Sequence, residues 1–129
     1  MKTIPDERRY DRSHGWIEME DDFIGRCGVS EQYLATLGPI EFIDFPDIDA
    51  EVKRGEPVAL LESATHYFKY LSPVSGRITE INQLLEGTPG IINTDPYGDG
   101  WLYKIDVKEP IEFDDLLPED EYIGDMENS

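Results

Sequence analysis

The chain has 129 residues, a formal net charge of −18 and a single cysteine, Cys27. Such a charge repels phosphate backbones, which argues against nucleic-acid binding and leaves either plain solubility or docking on basic faces of partner proteins. One cysteine allows no internal disulfide and fits a reducing compartment; no stretch approaches the length of apolar sequence that spans a membrane, and "MKTIPDERRYDRSHG" has no apolar segment of the kind a secretory leader needs.

In chain order, "IGRCGV" is an apolar run in which Cys27 reads as a small buried hydrophobe rather than a nucleophile. The first helix follows. Ser30 can cap its N-terminus, Glu31 suits its first turn, and Gly38 can end it. Tyr33, Leu34 and Leu37 would form its buried face. "EFIDF" (Glu41–Phe45) alternates polar and apolar, as a half-buried strand does, and "PVALLES" (Pro57–Ser63) and "GRITEIN" (Gly76–Asn82) are strand-length runs near turn signals. "WLYKIDV" alternates, placing Trp101, Tyr103, Ile105 and Val107 on one face and Leu102, Lys104 and Asp106 on the other. Strands this closely spaced suggest a small sandwich or barrel. The acidic tail carries Leu116, Leu117, Tyr122 and Ile123, read as one or two short helices split by Pro118 and ending in a flexible segment over about 124–129.

Between two of these strands lies "THYFKY". Alternation puts Phe68 and Tyr70 on one face of the return strand and Tyr67 and Lys69 on the other. One pair packs on the core; the other would be free to bind a protein, or both are core. His14 and His66 are the only histidines, and no spacing of His, Cys and carboxylates makes a metal site. No catalytic triad, phosphate loop or dinucleotide fingerprint is present.

Taken in order and spacing, "SHGW", "GVSEQYLATLGPIEFIDFP", "VKRGEPVALLES", "SPVSGRITEIN" and "LLEGTPGIINTDPYGDGWLYKI" resemble the H protein of the glycine cleavage system, over about Arg12 to Tyr122. The resemblance implies a mainly β fold, the barrel-sandwich hybrid of lipoyl and biotinyl domains, as one domain spanning 1–129 with a helix in the front half and short C-terminal helices. It also implies a carrier rather than an enzyme: a lipoyl group on one lysine at a hairpin tip shuttles an aminomethyl group in glycine decarboxylation, and the cofactor does the chemistry.

Three positions depart from the family. Its E-S-V-K-A motif reads Glu62-Ser63-Ala64-Thr65-His66, so the lipoyl-lysine position is Thr65. Lys69 stands where the family usually has an aspartate, and the glutamate of S-H-E-W is Gly15, between Ser13-His14 and Trp16. In the family those two acids resemble a dock for the cationic aminomethyl group, and the histidine is structural. The expectation is therefore a non-catalytic binding or regulatory paralogue without a cofactor, with Ser13, Gly15, Glu62, Ser63, His66 and Tyr67 as candidate cleft or partner-binding residues. Its partners would be glycine decarboxylase, aminomethyltransferase, dihydrolipoamide dehydrogenase or lipoate-attaching enzymes, met as a monomer in the cytoplasm. Two alternatives stay open: a working carrier with lipoate on Lys69, and a structural subunit unrelated to glycine cleavage.

Overall fold

A computed structural model describes residues 8–127. The start of the segment read for a leader, residues 1–7, and the last two residues of the expected flexible tail lie outside the described residues. The order of elements is β1 (Arg9–Tyr10), β2 (Gly15–Met19), β3 (Ile24–Val29), α1 (Glu31–Leu37), β4 (Ile40–Asp44), β5 (Glu51–Val52), β6 (Pro57–Ser63) and β7 (Tyr67–Leu71). There follow β8 (Gly76–Ile81), α2 (Leu84–Gly87), α3 (Ile91–Thr94), β9 (Tyr103–Val107), α4 (Pro110–Asp114) and α5 (Glu119–Glu127).

The strands form two antiparallel sheets, six strands in the order β1-β2-β3-β9-β8-β5 and three in the order β4-β6-β7. Their inner faces share one hydrophobic core: Ile17, Cys27 and Ile105 from the larger sheet meet Leu61, Phe68 and Tyr70 from the smaller. This is the mainly β sandwich with short helices that the strand spacing and the resemblance predict.

The first helix forms as its sequence dictates. Ser30 is extended and its hydroxyl accepts the Tyr33 N–H (3.2 Å); Gly38 takes φ 81° at the other end. Leu34 and Leu37 are buried, and Tyr33 packs at the edge of the core. The Ser30 hydroxyl also meets the Tyr122 hydroxyl at 2.6 Å, so one side chain caps α1 and anchors α5. Ser30→Ala is expected to cost about 2 kcal/mol, the cap plus a buried hydrogen bond. A lower urea midpoint at unchanged slope would show it; an unchanged midpoint would mean the cap carries no weight.

Three readings need correction. The alternation of Glu41–Phe45 fails because a β-bulge between Ile40 and Phe42 interrupts the pairing of β4 with β6. Ile40 and Ile43 are buried instead, and Phe42 faces solvent, 53% exposed. Leu102 does not share the outer face of Lys104: β9 begins only at Tyr103, and Leu102 is fully buried, its N–H donating to the Cys27 carbonyl at 2.7 Å. At the C-terminal end, α5 continues through Gly124 to Glu127, past the point where the tail was expected to lose structure. Tyr122 holds it down, stacked on Tyr10 at 4.6 Å in a second small cluster with Trp16. Pro118 precedes α5 as predicted, and its carbonyl accepts the Tyr122 N–H. Two short helices, α2 and α3, had no counterpart in the sequence reading.

Candidate functional site

The strands β6 and β7 form a hairpin whose register pairs Glu62 with Tyr67, Leu61 with Phe68 and Leu60 with Lys69. Its turn is short. The Ser63 N–H donates to the His66 carbonyl at 2.9 Å, and the Ser63 hydroxyl accepts the His66 N–H at 3.0 Å. Ala64 and Thr65 form the apex, both exposed. Thr65 Oγ1 lies 2.8 Å from His66 Nδ1, and His66 is itself exposed. Thr65 therefore occupies the turn. Lys69 lies inside β7, the third of its five residues, with its side chain in solvent.

Alternation along β7 holds. Phe68 and Tyr70 are buried, while Tyr67 (61% exposed) and Lys69 face out. The inward ring of Tyr70 packs edge-on to Tyr103 and Phe68, at centroid distances of 5.7 and 6.3 Å. It also reaches β2. A Cβ on Gly15 would stand 2.8 Å from the Tyr70 hydroxyl and 3.1 Å from its ring, so the space beside Gly15 is filled. That hydroxyl is buried and makes no hydrogen bond of good geometry among the described residues. The three departures in sequence are thus brought together only in part. Gly15 touches Tyr70, but Lys69, its neighbour in the chain, points to the opposite face of the sheet. Nothing in sequence spacing could have found the Gly15–Tyr70 contact, which joins residues of different sheets.

Ser13 is turned to its own loop, its hydroxyl donating to Asp11 at 2.6 Å. His14 has φ 81°, stacks on Tyr33 with centroids 3.9 Å apart, and places Nδ1 2.8 Å from the Tyr122 hydroxyl. Burial holds its imidazole below the usual range, against the opposing pull of Asp11 and Asp125. Burial likewise pushes the Tyr122 hydroxyl up to about 12, so it stays neutral. His14 is a structural residue at the joint of β2, α1 and α5. Because its folded value lies below the unfolded one, its contribution to stability is present above about pH 6.5 and is lost as pH falls through the folded value. Acid titration of the unfolding free energy should show that drop, and His14→Gln should flatten it; an identical profile in the variant would remove His14 as its source. Burial pushes the Cys27 thiol well up, as suits an inert core residue. No group of His, Cys, Asp and Glu suited to a metal occurs among the described residues.

A family profile described as Glycine cleavage H-protein matches residues 8–129. The chain belongs to the glycine cleavage H-protein family. Among similar curated proteins, the glycine cleavage system H protein of Coxiella burnetii is 38% identical over 122 residues, 95% of this chain and 94% of that one. The glycine cleavage system H protein of Alteromonas mediterranea is 36% identical over 122 residues, 95% of each. The crystal structure of a glycine cleavage system H protein from Mycobacterium marinum superposes with a TM-score of 0.81 at 33% identity, covering 94% of this chain and 97% of that one. Glycine cleavage H-proteins are lipoyl carriers and not themselves catalysts. No helix among the described residues is long and apolar enough to cross a membrane.

Proposed function

We propose that this glycine cleavage H-like protein carries no lipoyl group at the family's attachment position and acts as a non-catalytic binding or regulatory partner in lipoyl metabolism. The observation that carries this reading is Thr65 at the apex of the β6–β7 turn. Lipoate is held on a carrier by an amide to a lysine amine, and a threonine hydroxyl cannot form one. The surroundings agree. Tyr70 fills the space beside Gly15, where the family's glutamate would stand, and Lys69 faces away from it. The residues present do not fit the group. Partners of this role would be glycine decarboxylase, aminomethyltransferase, dihydrolipoamide dehydrogenase or the lipoate-attaching enzymes, met by a monomer in the cytoplasm.

A second reading has one observation in its favour. The Lys69 side chain is exposed and makes no ion pair among the described residues, so a ligase that tolerates a strand position could modify it. The intact mass of the protein from its own host decides. An unmodified chain, in cells whose other lipoyl proteins are loaded, is expected; an added lipoyl group mapped to Lys69 would overturn the reading. Thr65→Lys supplies the complement. The site is exposed, so stability should change by less than about 0.5 kcal/mol. With lipoate and a lipoate ligase, the variant is expected to gain one lipoyl group at residue 65, and its failure to do so would mean that more than the lysine is missing.

A further inference from the structure

The outer face of the small sheet holds a row of three side chains that the core does not use. Phe42 of β4 pairs across the strands with Glu62 of β6, and Glu62 pairs with Tyr67 of β7. Directly paired residues of an antiparallel sheet point to the same side, with Cβ atoms about 5 Å apart. Phe42 is 53% exposed and Tyr67 61% exposed, and the half-buried Glu62 lies between them. Its carboxylate forms no hydrogen bond or ion pair with any described residue. The β-bulge between Ile40 and Phe42 is what turns Phe42 outward into this row. Next along the face, Asp44 and Lys69 flank Leu60 and offset each other's charge. Beside Tyr67 the face dips into a groove of about 280 Å³ walled by Val58, Leu60, Phe45 and Lys69.

We infer that Phe42, Glu62 and Tyr67 form a clip for an arginine side chain presented by a basic face of a partner protein. A guanidinium donates to a carboxylate through paired N–H groups and is attracted to aromatic faces on either side of it. The aliphatic stem of the same arginine would lie over Leu60 and along the groove. Charge selects this occupant. A second copy of the chain brings another −18 and is repelled, as is a phosphate backbone, while a basic protein face is drawn in. The clip supplies the partner's surface chemistry for the binding role proposed above, and rests on that reading only in expecting a protein partner.

The test uses the full, isotope-labelled chain and the peptide acetyl-Leu-Arg-Leu-amide as probe, with its uncharged citrulline analogue as control. Amide shifts are expected to saturate and to concentrate at Phe42, Glu62, Tyr67 and their neighbours. The citrulline peptide should not produce them. Glu62→Gln and Tyr67→Ala, both at solvent-facing positions that leave the core intact, should each weaken the localised binding about ten-fold. Glu121→Gln on α5 should leave it unchanged. Shifts spread over all acidic faces, or an affinity indifferent to Glu62 and Tyr67, would overturn the clip. The two proposals fail separately. A chain found lipoylated that still binds the peptide at this row loses the functional reading and keeps the clip; an unmodified chain without localised binding loses the clip alone.

Discussion

Gly15→Glu is expected to destabilise the protein by about 3 kcal/mol, through overpacking and the burial of a carboxylate. The residue lies buried in β2, and its missing side chain leaves room that Tyr70 takes up, with the hydroxyl 2.8 Å from where a Cβ would stand. Tyr70 cannot easily yield, because it is fully buried and braced by Phe68 and Tyr103. The two positions should therefore be coupled. Tyr70→Val alone leaves a cavity and should cost about 3 kcal/mol. Combined with Gly15→Glu, the total should fall short of the sum by more than about 1 kcal/mol, because the smaller residue frees the space. Tyr70→Phe is the control: it removes a buried hydroxyl that makes no hydrogen bond of good geometry among the described residues, and should be neutral or slightly stabilising. Denaturant midpoints of the four proteins give the cycle, and strict additivity would mean that Tyr70 is not what closes the place. If the coupling is found, a lysine restored at position 65 would still swing an arm that has no dock.

The larger effect is expected at Gly76→Ala. Gly76 lies between two strands, paired with Val52 of β5 and Val107 of β9. A Cβ there would fall on the backbone carbonyl of Asp106, which cannot move without breaking the ladder. The loss should reach about 4 kcal/mol, a large share of the 5–15 kcal/mol that holds a typical domain together. Reduced soluble yield and an early urea transition would register it. Gly87→Ala provides the contrast: it has open space around its Cβ position and should be neutral or mildly stabilising. Equal behaviour of the two variants would refute the close approach as the cause.

Where local chemistry decides, the sequence was a good guide. The Ser30 cap, the Gly38 stop, the whole of β6 and the placing of Phe68 and Tyr70 on the face opposite Tyr67 and Lys69 follow from side-chain type and period alone; which of the two faces turns inward does not, because both carry an aromatic ring. What escaped has physical reasons. A bulge breaks period two without a residue signature, so the outward turn of Phe42, and with it the row over Glu62, could not be read. The helices α2 and α3 are four residues each and lack a side-chain cap, leaving no pattern to detect. The acid-rich tail reads as a flexible end, yet Tyr122, held by His14 and Ser30, and Ile123 and Met126, packed with it on Tyr10 and Trp16, dock it as a helix. Of the candidate site, the hairpin and the place of Thr65 at its tip were legible. The filled space beside Gly15 was not, because it depends on which side chains of two sheets meet.

The place of β9 in the large sheet bears on how the protein comes to be made. It lies between β3 and β8, and the strands on its two sides come from opposite halves of the preceding chain. Until Val107 has been synthesised, β3 and β8 have no common neighbour, and each would offer an open edge to passing chains. A nascent chain therefore gains little by settling early. Its assembly is a late event that engages most of the polypeptide at once, slow for its size because the pairings span long stretches of sequence. Protection of the growing chain by the ribosome exit and its attendant chaperones matters more for such a topology than the modest size of the product would suggest.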